Sequence, residues 1–231
     1  MRTGVVSVGF LLAAAACGGS GGTTSTPSTS PQATSAVTAT SAPVVTEVPP
    51  DTTTTIPSLD TVVRADLPAA DAYFDFIEFT DDSGAITVTA PEAWTDVNGV
   101  SWDFNDLTAI GPALSVAPDL EAWISGWGTP GFFIAASTEL GITPVELLAD
   151  EDFSGACDYA GTEDYNDGFY VGLMDVWQNC GDEGSRFLVV AAQPPDGSYI
   201  VLVQIVEVTE ADVGAADQIL LSFFVDGPIA G

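Results

Sequence analysis

Apolar positions along the second half of the chain fall into two rhythms, one of strands and one of helices. Tyr73-Phe74-Asp75-Phe76-Ile77-Glu78-Phe79 is rich in aromatics with interspersed acids and reads as a strand. Asp81-Asp82-Ser83-Gly84 is a turn cluster, and Ile86-Thr87-Val88-Thr89 alternates up to Pro91, so the two runs predict a hairpin. Ala113–Ala117 and Gly131–Ser137 are further short strands. Ala156–Ala160 and Phe169–Gln178 flank the turn residues Asn166-Asp167-Gly168. Phe187–Ala192 and Tyr199–Val206 are joined across Pro194-Pro195-Asp196-Gly197 and are apolar at nearly every position. A half-exposed strand would alternate, so these two are expected to be buried on both faces.

Three segments carry the helical period and start signals. Leu120, Trp123, Ile124 and Trp127 share one face behind the capping residue Asp119, with Gly128 and Pro130 ending the run. Thr143-Pro144-Val145-Glu146 is a capping box with proline at the first helical position, opening a short helix to about Ala149. Thr209-Glu210-Ala211-Asp212 opens the last helix, whose Val213, Ala216, Leu220 and Phe223 form one face. Strands outnumber helices and are joined mostly by short turns, so the pattern predicts an α+β fold, a mostly antiparallel sheet covered by helices.

The first 58 residues follow another pattern. Met1-Arg2-Thr3, an apolar run from Gly4 to Ala16 and then Cys17-Gly18-Gly19-Ser20 make a short basic start, an apolar region and a small-residue cut site, as in a secretory signal over residues 1–16. The run is shorter than the roughly 20 residues a membrane-spanning helix needs. Ala14-Ala15-Ala16-Cys17 resembles the lipobox of bacterial lipoproteins, although Ala14 stands where leucine is commonest. The resemblance implies removal of the signal and lipid on Cys17, and an anchor with two or more acyl chains is stable where one is marginal. Residues 17–58 are Ser, Thr, Pro, Ala and Gly with few large apolar residues, the composition of a disordered stalk. Residues 59–231 remain for a single domain, long enough to bury a real core.

Charge then prunes the functions. Against 33 acidic residues stand 3 basic ones, a net charge of −30, with no histidine. Lysine is absent too, and beyond the signal only Arg64 and Arg186 are cationic. A phosphate-binding surface needs clustered basic residues, so nucleic acid is not expected as a partner. Without histidine there is no Ser-His-Asp or Cys-His nucleophile, and without lysine no Schiff base or P-loop lysine. Carboxylate chemistry, or an unusual serine, is what the composition leaves.

Three cysteines leave one odd thiol in an oxidising compartment. Lipid on Cys17 removes it and leaves the other two to pair. If the Asn166–Gly168 turn closes a hairpin, position 157 lies opposite about 178, so a Cys157–Cys180 disulfide is expected across the hairpin ends.

The strand Ile86–Ala90 ending in Pro91-Glu92-Ala93-Trp94 resembles the opening strand of the PsbP-like family. The run from Asp164-Tyr165 through Tyr170–Gly181, Tyr199–Val206 and the final helix is similar to a domain of secreted or membrane-tethered actinobacterial proteins. The resemblance implies an α/β/α sandwich with an accessory or ligand-binding role, and it transfers no catalytic residue to this chain.

Two sets of residues stand out as candidate sites. Asp158, Glu163, Asp164 and Asp167 crowd the expected hairpin tip, where a hard cation such as Ca²⁺ would find several oxygens. Their spacing departs from the EF-hand pattern, which favours a plain solvated loop, and no cofactor is expected. Of five tryptophans, Trp123 and Trp127 belong to an apolar helix face, whereas Trp94 and Trp102 lie in loop context and are the candidates for an exposed ligand-binding platform. The expectation is a monomeric, lipid-anchored module on the outer face of the cell membrane, non-catalytic, binding an envelope protein or a small ligand. The alternative is a carboxylate-dependent hydrolase acting on an envelope glycan, which would need two acids in one cleft, one in an apolar and one in a polar environment.

Overall fold

The two strands without alternation lie at the centre of a seven-stranded sheet. The computed structural model describes residues 67–226 and Ile229; the signal, Cys17, the stalk and Arg64 lie outside the described residues. In chain order the elements are β1 (Phe76–Thr80), β2 (Ile86–Pro91), β3 (Asp96–Asn98), β4 (Ala113–Ala117), α1 (Leu120–Ser125), β5 (Gly131–Ser137), α2 (Pro144–Asp150), β6 (Asp158–Asn166), β7 (Val171–Cys180), β8 (Ser185–Gln193), β9 (Ile200–Glu207), α3 (Glu210–Ser222) and β10 (Phe224–Val225). The large sheet has the order β3-β4-β5-β9-β8-β7-β6, with antiparallel pairing throughout. A second antiparallel sheet has the order β1-β2-β10. The fold is therefore α+β and mostly antiparallel.

Strand alternation divides the large sheet between two cores. Leu188, Val190 and Ala192 of β8, with Val201, Val203 and Ile205 of β9, face the small sheet and α3, meeting Ile86, Val88, Ile219 and Phe223. The intervening Val189, Ala191 and Leu202 face the opposite way, toward α1 and α2, and meet Trp123, Leu147 and Leu148. Both faces of β8 and β9 are covered, which is why Phe187–Ala192 and Ile200–Val206 are apolar at every position but Gln204.

Helix starts follow the capping chemistry. Asp119 accepts from the Ala122 amide at 2.9 Å, and Thr143 and Glu146 close a reciprocal capping box. Helix α1 ends at Ser125, so Trp127 lies beyond it while still packing in the same core. In α3 the buried stripe is Ala211, Asp212, Ala215, Ala216, Ile219 and Leu220, with Val213 only half-buried, so the expected face is rotated toward Ile219.

The Cys157–Cys180 disulfide is present. It closes the end of the β6–β7 hairpin where Asp158 pairs with Gln178. Strand bulges flank it, at Tyr159/Gly161 in β6 and between Trp177 and Cys180 in β7. Asn179 adopts φ 52° inside the second bulge, and its side-chain Nδ2 donates to the Asp158 carboxylate at 2.9 Å. No helix among the described residues is long and apolar enough to cross a membrane.

Candidate functional site

The two tryptophans expected at the surface are in the interior. Trp94 is 0 % exposed and Trp102 4 %. The Pro91-x-x-Trp94 segment is a turn in which the Trp94 amide donates back to the Pro91 carbonyl at 3.0 Å. That turn drives the indole inward against Phe132, while its N–H donates to the Tyr73 hydroxyl at 3.3 Å. Tyr73 in turn donates to Asp212 at 2.8 Å. Burial pushes the Tyr73 hydroxyl up to about 12, with Asp212 adding to the shift. Asp212 also accepts from the Val208 and Thr209 amides and the Thr209 hydroxyl. This buried carboxylate thus joins the amino-terminal segment to the start of α3. Trp102 lies against Phe104 and Phe133 in the other core. Neither tryptophan forms an exposed platform; loop context says nothing of burial when the loop folds back over a sheet.

The four acids of the hairpin do not gather. Asp158 begins β6, Glu163 and Asp164 lie along it, and Asp167 is in the turn beyond its far end. Asp167 is occupied by the Phe169 and Tyr170 amides at 2.8 and 2.7 Å and by the Tyr165 hydroxyl at 3.0 Å. Among the described residues no three His, Cys, Asp or Glu side chains come together as a metal site. The expected crowding failed because β6 continues to Asn166, which spreads the acids along an extended strand at ~3.3 Å per residue.

Other buried acids hold the structure together. Glu207 lies opposite Arg186 across β8 and β9 and pairs with it, both side chains nearly inaccessible. Asp81 organises the β1–β2 turn, accepting from the Ile86 amide at 2.6 Å and the Ser83 amide at 2.9 Å.

Two regions retain chemistry beyond this scaffolding. One is a register row that crosses every strand of the large sheet: Thr162, Asp175, Val189, Gln204, Phe133, Ser115 and Asn98. Thr162 donates to the buried Asp175, with the Tyr159 hydroxyl beside them. Farther along, Gln204 donates to Glu151, the residue capping the end of α2, at 2.8 Å. Burial pushes the Glu151 carboxyl up to about 7 and the neighbouring Asp150 raises it further, while the Gln204 bond works the other way.

The second region is a recess of about 580 Å³ at the end of the large sheet that carries the β6–β7 and β8–β9 turns. Its walls come from the β6–β7 turn (Phe169), the β8–β9 turn (Pro194, Pro195, Asp196), Tyr199, and the segment Phe224–Asp226. Phe169 and Phe224 are 42 % and 43 % exposed, with ring centroids 5.5 Å apart. Behind them Tyr170 and Tyr199 form a closed hydrogen-bonded ring with β10. The Val225 amide donates to Tyr170 at 3.0 Å, the two hydroxyls are 3.0 Å apart, and Tyr199 donates to the Val225 carbonyl at 3.1 Å. Each hydroxyl has one proton, so Tyr170 donates to Tyr199. Burial pushes the Tyr199 hydroxyl up; the Tyr170 bond opposes this, and the Asp196 and Asp226 carboxylates add to it. Both acids therefore act on one point at the back of the recess. Asp196 is held below the usual carboxylate range by the Ser198 hydroxyl, at 2.7 Å, and amide, at 3.0 Å.

Reasoning from sequence missed this recess. The available signal was the succession of hairpins β6–β7–β8–β9, which places the Asn166–Gly168 and Pro194–Gly197 turns at the same end of the sheet. No family model matches the chain, and no curated protein matches it.

Proposed function

We propose that the chain is an extracytoplasmic lipoprotein, anchored by lipid on Cys17, whose folded domain is a non-catalytic binding module of the cell envelope. The observation that carries the binding role is the recess at the end of the large sheet, where exposed phenylalanines and two carboxylates line a volume within the usual range for ligand sites. The anchor is supported by the apolar run ending in Ala14-Ala15-Ala16-Cys17 and by the pairing of Cys157 with Cys180, which leaves Cys17 as the odd thiol. The helices and second sheet covering the large sheet are compatible with the PsbP-like sandwich that the Pro91-x-x-Trp94 segment suggests. Metabolic labelling with an alkyne-tagged palmitate tests the anchor. Label and membrane association are expected for the native chain and lost in Cys17→Ala; an unlabelled native chain in the soluble fraction would refute it. Crosslinking on intact membranes tests the module, and recovery of no partner together with glycan turnover by the purified chain would reverse the reading.

That second reading, a hydrolase acting on an envelope glycan, draws on the Glu151 carboxyl raised to about 7 and the hydrogen-bonded Asp175 on the same sheet face. Turnover abolished by Glu151→Gln and by Asp175→Asn, with folding intact, would establish it.

A further inference from the structure

We infer that the recess at the end of the large sheet receives a cationic side chain, the arginine or lysine of an extended segment of a partner protein, with its charge between Asp196 and Asp226 and its stem against Phe169 and Phe224. The inference rests on the binding-module reading and names the ligand class of that site.

The geometry supplies both halves of such a side chain's needs. Arginine and lysine bury an apolar stem while keeping a charged head among polar partners. Phe169 and Phe224 present a stem-sized apolar wall, with the rings 5.5 Å apart and roughly two-fifths exposed. Phenylalanine faces also attract a cation held within about 6 Å of the ring centre. Asp196 and Asp226 line the same recess and act together on the Tyr199 hydroxyl. Pro194 and Pro195 form a further wall that offers no backbone N–H.

Charge complementarity selects the occupant. The sole basic residue among the described residues is Arg186, which is buried against Glu207. Hence no cation of the described domain neutralises Asp196 or Asp226. An anionic ligand would meet two carboxylates and the field of an acidic surface, and a neutral apolar one would desolvate both acids without return. A cation replaces their water with a charge-assisted contact. The volume, about 580 Å³, accommodates one long side chain with its flanking residues, more than a free metal ion requires.

A protein of net charge −30 attracts any basic peptide, so the test has to separate the recess from the bulk field. The full chain in detergent would be titrated at about 0.15 M salt, where the Debye length is about 8 Å. The probe is a fluorescent Pro/Phe-flanked peptide carrying one arginine, compared with the same peptide carrying citrulline. The recess variant is Asp196→Asn with Asp226→Asn, isosteric changes that preserve the acceptor for Ser198. The charge-matched control is Asp103→Asn with Asp106→Asn, two exposed acids outside the recess. Expected are at least a tenfold preference for arginine over citrulline, at least a tenfold loss in the recess variant, and less than a twofold change in the control. Phe224→Ala is expected to weaken the arginine peptide severalfold while leaving the melting temperature near that of the native chain. Equal losses in recess and control variants, or no arginine preference, would overturn the inference while leaving the anchor and the broader binding role to their own tests.

Discussion

Glu151 is the residue whose chemistry departs furthest from its surface neighbours. Its carboxyl titrates near 7 in the folded chain because burial at the end of α2 disfavours the charge. A carboxyl whose folded value is raised contributes nothing adverse below its unfolded value, near 4.5, and becomes a burden as pH rises from there through about 7. Glu151→Gln keeps an acceptor for Gln204 and removes the charge. The variant is expected to match the native chain at pH 4 and to exceed it by about 1–2 kcal/mol at pH 8, read from denaturant unfolding at both values. Trp94 makes the opposite case, a residue that looks functional and is structural. Trp94→Ala empties a fully buried site and strands the Tyr73 hydroxyl of its indole donor. A loss of about 3–5 kcal/mol is expected in the same experiment.

The elements differ in how openly their sequences announce them. Strands β8 and β9 were legible because burial on both faces makes Phe187–Ala192 and Ile200–Val206 almost entirely apolar, and α2 because its capping box and proline fix its first turn. Strand β6 was read too short since it lies at the edge of the sheet, where most of its residues are exposed on either face and no period of two survives. The three residues of β3 and the two of β10 are shorter than any periodicity can reveal; they become strands only through partners, Ala117–Ser115 for β3 and Thr87–Ile86 for β10. The disulfide was legible once the hairpin turn had been placed, because register fixes which residues face one another. Its stabilising effect belongs to the β6–β7 element. Cys157 and Cys180 are 23 residues apart, and opening that loop is expected to cost roughly 3 kcal/mol in the chain-entropy model. A Cys157→Ala, Cys180→Ala chain should unfold at correspondingly lower denaturant, with the native chain in reductant shifting toward it.

At the scale of the whole molecule, charge sets the behaviour and long-range topology makes the site. With 33 acidic residues against 3 basic ones, the folded state carries its own repulsion. Raising salt from about 0.02 to 0.5 M contracts the screening length severalfold. The melting temperature is therefore expected to climb by several degrees, the reverse of a protein stabilised by surface ion pairs. The recess escaped the sequence for a related reason of scale. Phe169, Asp196 and Phe224 come from two turns and the short strand β10, far apart along the chain, and only the order of the hairpins and the return of α3 place them together. The tyrosine ring behind that recess has a further effect. Strand β10 pairs with β2 on one side, and on its other side Tyr170 and Tyr199 occupy the backbone groups of Val225 that a foreign strand would use. The acids spread along β6 make the far border of the large sheet equally unwelcoming to a second copy. The proposed anchor would crowd copies of the chain into a thin film, where exposed strand edges invite polymerisation; the blocked β10 and the acidic β6 each remove one such edge.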